Sequence, residues 1–335
     1  MPWARASAPL RVIDAGGWTD TWFAAHGLVC HLAVGPGPEV LATWQPGSAT
    51  TSVQVAVASS GEEYTFDLGN PPARHPLLEA VAARFAPRGG HLRVEVGAPV
   101  PPGSSLGTSA AVVVAMASAL LHLDGRRLPP GELARLAHMV ETSDLGLQSG
   151  VQDQVAAAFG GANRVTISPY PEFRVEALDL GPAMASGLGE RLFTVYLGGH
   201  DSSAVHRAVI ARLEQAPEEA TRLMGALREA ASEAARALGE GDLSALGAAL
   251  AANTETQAAL HPDLVNPTAR SVIELARAHG ALGWKVNGAG GHGGTVTVLA
   301  GDDPRGVRAA LDDLDAVLLL PLHVSSSGAK VLEAG

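Results

Sequence analysis

Between Pro99 and Leu120 the chain reads PVPPGSSLGTSAAVVVAMASAL, a Gly- and Ser-rich loop that runs into an apolar stretch of small residues. Ser104, Ser105, Thr108 and Ser109 place four hydroxyls where a helix must begin, beside Gly103 and Gly107. A helix N-terminus carries unpaired N–H groups and partial positive charge, so it attracts anions, and phosphate is the usual one. The glycines let the backbone approach a ligand closely, and the hydroxyls add donors and oxygen ligands for a metal. Plain capping needs one such residue; four hydroxyls and two glycines exceed it, yet on local chemistry alone both readings stand. The loop is not the lysine-containing nucleotide loop G-x-x-x-x-G-K-[ST], because the only lysines are the distant Lys285 and Lys330. Gly288, Gly290 and Gly293 spell G-x-G-x-x-G, but TVTVLA follows, which reads as a strand where a dinucleotide fingerprint opens a helix.

Other residues could serve phosphoryl chemistry. Asp153, in SGVQDQ, stands at a helix start, where an acid also complements the dipole. Glu141 follows Ala137 by four, beside the apolar stripe of Leu133, Leu136, Ala137 and Val140. A carboxylate at a core edge costs free energy unless it is paired or metal-bound, and oxygen ligands together with phosphates are what Mg²⁺ selects. Arg11 lies in the strand LRVIDA, and Asp20 in GGWTDT either makes an Asx turn after the glycine pair or binds a ligand. In GGHDSSAVHRAV a helix starts near Ser203; Ser202, Ser203 and His206 either cap it or touch substrate. His200 and His206 are six apart, a poor spacing for one metal on a helix. No zinc pattern and no Gly-x-Ser-x-Gly nucleophile is present.

These residues need a scaffold. The first hundred residues read mostly as short β-branched strands (LRVIDA, GLVCHLAV, EVLATW, TSVQVAVAS, EYTFDLG, HLRVEVG) interrupted by one helix over 76–85. The loop's own helix follows, then GELARLAHMVETSD, then a third helix from about Val151, then the strands NRVTIS and EFRVEAL. After the strand RLFTVYLGG, apolar residues recur at three- and four-residue spacing through three helices up to Leu260, and a further helix covers 267–279. The end alternates GWKVN, a Gly loop, TVTVLAG, a helix and AVLLLPLHV. The turn formers of GPAMASGLGE predict a boundary near 181–189, dividing the chain into 1–185 and 186–335.

With 335 residues, 47% of them hydrophobic, the chain can fill two cores. A net charge of −11 argues against nucleic acid as a partner, while a local cationic pocket can still take an anionic substrate. Cys30 is the only cysteine, in an apolar run, and reads as a buried small hydrophobe. The start shows no signal peptide and no stretch is long enough for a membrane span, which predicts a cytoplasmic protein that is a monomer or a homodimer.

PPGSSLGTSAA resembles the second motif of the GHMP kinases, the superfamily of galactokinase, homoserine kinase, mevalonate kinase and phosphomevalonate kinase. APLRVIDAGGWTDT (8–21) resembles the first motif and KVNGAGGHGG (285–294) the third, in the family's order. GGWTDT and SGVQDQVAAAFGG are similar to the L-fucokinase and heptose 7-phosphate kinase branch. The resemblance implies a two-domain α+β fold and transfer of the γ-phosphoryl group of ATP, with Mg²⁺, to a hydroxyl of a monosaccharide or sugar phosphate, the anomeric one above others. It implies that Pro102, Gly103, Ser104, Ser105, Leu106, Gly107, Thr108, Ser109 and Ala110 hold the nucleotide, and that Ser109 and Glu141 bind the metal. Asp153 would be the base and Arg11 the catalytic cation. Asp20, Gly17, Thr19, Gly150, Gly290 and Gly291 would meet the acceptor. The third motif departs from the family at Asn287, where Ser or Thr is common, and at His292, where Gly is common and which is expected to face solvent. Other readings are a kinase of mevalonate or homoserine, a non-catalytic ATP and sugar sensor, and a diphosphomevalonate-type decarboxylase. The presence of Ser109, Glu141 and Asp153 favours an enzyme, Asp20 favours sugar, and Arg11 with the acids Asp14 and Asp20 poorly suits a highly anionic substrate.

Overall fold

Burial along a strand records how many of its faces are covered. β1 (Trp3–Ser7) buries every second residue, whereas β2 (Leu10–Ala15) is buried throughout. The chain continues through β3 (Gly27–Gly35), β4 (Glu39–Pro46), β5 (Thr51–Val57), β6 (Glu62–Asp67), α1 (Pro76–Phe85) and β7 (Gly90–Gly97). Next come α2 (Thr108–Leu123), α3 (Pro130–Met139), a π-helical turn Val140–Asp144, α4 (Gln152–Phe159), β8 (Ala162–Ile167) and β9 (Phe173–Leu178). Then follow α5 (Gly181–Arg191), β10 (Leu192–Tyr196), α6 (Ser203–Gln215), α7 (Pro217–Glu240), α8 (Leu243–Leu260), a 3₁₀ turn Pro262–Leu264 and α9 (Pro267–Ala278). The last elements are β11 (Ala281–Val286), β12 (Thr295–Ala300), α10 (Pro304–Asp312), β13 (Leu318–Leu320), β14 (His323–Val324) and β15 (Lys330–Ala334). This computed structural model describes residues 1–335 except 200–202 and 316; the side chains of residues 203 and 204 also fall outside the description.

The strands form three sheets, β15-β1-β4-β7-β5-β6, β14-β3-β8-β9 with β2 on β3, and β11-β12-β10-β13. Helix α2 packs on β1 and β4 and is ringed by α1, α3 and α4. Its small and aliphatic residues explain this central place: Ala110, Ala111, Val113, Val114, Ala115, Met116 and Ala117 are all buried. Helix α7 lies on β2, β3 and β8 and beside α8, and α8 lies on β11. One core cluster therefore joins Met116 and Leu32 to Ala231, Leu238 and Leu250, so the two halves share an apolar interior. Cys30 is buried in that cluster.

Two readings of the sequence are corrected. The segment 181–190 is the first ten residues of α5 and not a linker: Pro182 sits in its first turn, and Met184 and Leu188, four apart, bury one face. The chain's last strands were not foreseen in their place. β14 pairs with β3 and β15 with β1, so the tail returns to the sheets of the first half. Among the described residues no helix is long and apolar enough to cross a membrane.

Met116, fully buried in α2, anchors the helix whose start carries the hydroxyl-rich loop. Met116→Ala should destabilise the fold by about 2–5 kcal/mol through lost burial and a residual cavity, read as a lower urea midpoint.

Candidate active site

Segments remote in sequence converge on one cleft of ≈ 460 Å³. The residues after β2 supply Gly17, Trp18, Asp20 and Thr21; the loop before α2 supplies Gly103 to Ser109. Gln148 to Gly150 and Asp153 come from the approach to α4, His206 from α6, and Gly288 and Ala289 from the loop after β11. Arg11 and Asp14 reach in from β2.

The start of α2 has Gly107 as its N-cap, in the left-handed region at φ 72°, with no side-chain cap and no acid in the first turn. Ser104 and Thr108 instead pair with each other, Oγ to Oγ1 at 3.2 Å. The N-terminal amides are thus left to an anion from the cleft. Gly107 serves a second purpose: a Cβ there would sit 3.2 Å from the Asp153 carboxyl carbon, so the missing side chain lets that carboxylate lie against the helix start.

Arg11 and Asp153 form an ion pair, Nε to Oδ1 at 2.8 Å. The guanidinium also donates from Nη1 to the Ser105 carbonyl at 2.5 Å and lies 3.8 Å from Asp14. Burial would lower the pKa of Arg11, but the carboxylates of Asp153 and Asp14 outweigh it and hold the guanidinium above its ordinary value. Asp153 keeps a third of its side chain exposed to the cleft.

At the cleft floor Asp14 binds three groups. It accepts from the Gly288 amide at 2.7 Å and pairs with Lys285 Nζ at 3.3 Å, besides facing Arg11. Lys285 is fully buried and donates to Gln257 Oε1 at 2.9 Å and to the Val286 carbonyl. Burial pulls its pKa down, and Asp14 opposes that. Asn287 accepts from the Ile13 amide at 3.2 Å and donates to Thr295 and Thr297. An amide side chain can accept and donate twice at once, which accounts for Asn at this position. Thr295 in turn donates to the Ser104 carbonyl at 2.8 Å, linking the third motif to the second.

Asp20 is buried and accepts from the Gln152 amide at 3.0 Å. Its carboxylate presses on the backbone at Gly150, where a Cβ would fall 2.1 Å from Oδ2, so that position admits only glycine without a shift. Burial raises the Asp20 pKa to about 6; the Gln152 amide opposes this and the Asp153 charge adds to it. Glu141 lies in the π-helical turn, a distortion that recurs at functional sites. Burial pushes its carboxyl up to about 7, against the nearby Ser149 and Gln154 side chains. Its Oε1 is buried with no hydrogen-bond partner among the described residues.

Of the residues singled out from sequence, Arg11, Gly17, Asp20, Gly150, Asp153 and the loop 103–109 meet at the cleft. Pro102 and Ala110 flank it: the Pro102 carbonyl accepts from Tyr196, and Ala110 is buried in α2. Thr19, Gly290 and Gly291 do not line the cleft and pack behind it. Thr19 is fully buried and bonds the Gly16 and Leu28 carbonyls. Gly290 packs on the Leu264 carbonyl, and the Gly291 carbonyl accepts from Asn266. Glu141 lies behind Ser149 and Gln154, not on the wall itself. His206 lines the cleft and stacks on Trp18, ring centroids 4.5 Å apart; His200 and Ser202 lie outside the described residues, as does the side chain of Ser203. His292 is exposed. Sequence reasoning missed Lys285 and Trp18. The signal for Lys285 was its rarity, one of two lysines among 23 basic residues.

Comparison with known proteins adds family evidence. Residues 76–161 match the GHMP kinases N terminal domain and residues 233–317 the GHMP kinases C terminal, together about half of the chain. A D-glycero-alpha-D-manno-heptose 7-phosphate kinase of Campylobacter jejuni is 29% identical over 194 residues, which cover 58% of this chain and 57% of that protein. A galactokinase of Thermotoga maritima is 28% identical over 67% of this chain and 70% of its own length. In fold, the crystal structure of a D-glycero-D-manno-heptose 1-phosphate kinase from Bacteroides thetaiotaomicron superposes with a TM-score of 0.77 at 22% identity, covering 98% of both chains.

The raised Asp20 pKa makes a stability prediction. Between the unfolded value of 3.8 and the folded value of about 6 the folded state binds more protons, so stability falls as pH rises through that window. Asp20 alone should remove about 3 kcal/mol across it. Asp20→Asn should flatten that slope, measured as the difference between wild-type and variant urea midpoints at pH 4 and pH 6.5.

Proposed function

Because the chain belongs to the GHMP kinase family, matching its N- and C-terminal domains, we propose that it transfers the γ-phosphoryl group of ATP to a hydroxyl of a monosaccharide or sugar phosphate, the anomeric hydroxyl by resemblance. The observation that carries this reading is the uncapped start of α2 with the Arg11–Asp153 pair set against it. Residues 1–185 would form the nucleotide-binding half and 186–335 the second half, with 323–334 packed back on the first.

Phosphoryl transfer asks for positioning and charge stabilisation more than covalent help. The loop 103–109 would cradle phosphates on its amides and hydroxyls. Asp153, fixed by Arg11 and open to the cleft, would take the proton of the acceptor hydroxyl. While ionised it neutralises Arg11; once protonated it no longer does. The guanidinium, pinned by the Ser105 carbonyl, then meets the charge of the transferring group without moving. Asp20 would accept from acceptor hydroxyls.

Two residues carry the oxygen chemistry that suits Mg²⁺, Ser109 on the cleft and Glu141 behind Ser149 and Gln154. Ser109 and Glu141 are oxygen donors, and the lone Oε1 of Glu141 is a buried acceptor lacking a protein partner among the described residues. When bound, the ion would neutralise phosphate charge. Glu141 and Ser109 would hold it.

Asp153→Asn should lower kcat at least about 100-fold, the range of a lost general base, while ATP affinity measured by calorimetry stays within threefold. Retention of more than a tenth of kcat, less than ~1.4 kcal/mol of barrier, would reduce Asp153 to a helix-end charge. Glu141→Gln should raise the Mg²⁺ concentration for half-maximal rate several-fold, because it removes a charged oxygen ligand; an unchanged Mg²⁺ titration would place the metal elsewhere.

A further inference from the structure

The cleft lining is of two kinds. The loop before α2 offers amides and hydroxyls to phosphate. The rest of the lining includes Gly17, Trp18, Asp20, Thr21, Ser149 and His206. Among the described residues that line the cleft, Arg11 is the only lysine or arginine. Its bonds to Asp153 and the Ser105 carbonyl hold it beside that loop. Lys285 lies beneath, fully buried and spent on Asp14, Gln257 and Val286. With Asp14 paired to Lys285, the cleft carboxylates that remain are Asp20 and Asp153, and only Arg11 stands against them.

Resting on the kinase reading above, we propose that the acceptor is an uncharged monosaccharide and that the cleft discriminates against a sugar already carrying a phosphate. This part of the lining suits a neutral polyol. Asp20 accepts from hydroxyls, and so can the hydroxyl oxygens of Thr21 and Ser149, whose own protons go to the Trp18 and Gly150 carbonyls, while the Trp18 ring, stacked on His206, adds apolar lining for sugar C–H groups. Burial lowers the pKa of His206, so that ring carries no charge at neutral pH. A phosphate ester on the acceptor would bring a dianion toward Asp20 and Asp153. The amides at the start of α2, the other phosphate-seeking groups, are engaged by the nucleotide. Low-dielectric walls strengthen that repulsion relative to water.

The test uses the full chain with ATP and Mg²⁺ in a coupled ADP-release assay on matched pairs. These are D-mannose and D-mannose 6-phosphate, D-galactose and D-galactose 6-phosphate, D-fructose and D-fructose 6-phosphate, and sedoheptulose and sedoheptulose 7-phosphate. In the best pair the neutral sugar should exceed its ester in kcat/KM by about 100-fold or more, which corresponds to ~2.7 kcal/mol; a tenfold excess still supports the inference. An ester that reacts as well as its neutral partner, or within tenfold of it, overturns the inference and leaves the sugar-kinase reading standing. Turnover of mevalonate or homoserine with no sugar in either form overturns both, as does the absence of ADP release with every acceptor.

Discussion

Two stretches of the chain, 11–14 and 285–288, meet on the buried carboxylate of Asp14. Its strand β2 carries Arg11 three residues earlier; the third motif reaches it through the Gly288 amide; and Lys285, on β11, approaches it from below. Breaking a buried ion pair by removing one partner costs about 3–5 kcal/mol. Asp14, its two cations and the Gly288 amide therefore support one another. This couples the two halves of the chain at the place where the cleft opens, and it fixes the height and angle of Arg11. The position of Asp153 follows from Arg11, and that of the loop before α2 from the same guanidinium through the Ser105 carbonyl.

Around this hub the backbone is held in costly conformations. Ile13, Trp18 and Ser105 have positive φ values of 48°, 83° and 59°. Each such residue costs on the order of 1–3 kcal/mol. Their cluster at the cleft is intelligible from the bonds that surround them: the Ile13 amide is tied to Asn287, Ser105 to Arg11, and Trp18 is wedged between Phe23 and His206. The packed core of α7 and α8 behind β2 and β11 leaves these segments little room to relax. Rigid donors aimed at a fixed place are what electrostatic stabilisation of a transferring phosphoryl group requires.

Much of this was legible in the sequence where a local rule applied. Periodicity located α6, α7 and α8, and the glycine and hydroxyl pattern located the start of α2, because such signals depend on near neighbours alone. The failures have physical causes. GPAMASGLGE reads as turns by composition, yet Met184 and Leu188 gain enough by burial to make it helix. β15 is short and largely exposed, and its partner β1 lies at the far end of the chain, so no local pattern announces the pairing. Gly290 and Gly291 looked like backbone donors to substrate; tertiary packing turned them to Leu264 and Asn266 and left Gly288 and Ala289 at the cleft. Thr19 was misjudged for the same reason, its hydroxyl being spent on carbonyls of its own turn and of β3.

The choice of lysine at 285 follows from the geometry of the hub. This chain uses arginine for nearly every basic position, with lysine at 285 and 330 only. At 285 the cation must fit a closed space and donate in three directions, to Asp14, Gln257 and the Val286 carbonyl. An ammonium is a compact charge with three donors in tetrahedral array, whereas a guanidinium is a wide planar fork suited to bidentate partners. Arginine serves at position 11 for the converse reason. There one face of the fork spans Asp153 and the Ser105 carbonyl, two acceptors on different elements, and holds them at a set distance. The two cations are thus not interchangeable: Lys285 neutralises Asp14 from beneath, which leaves Arg11 to be governed mainly by Asp153. A proton arriving on Asp153 then changes the field at the start of α2 directly, because Asp14, already bound by Lys285 and the Gly288 amide, does not compensate for it.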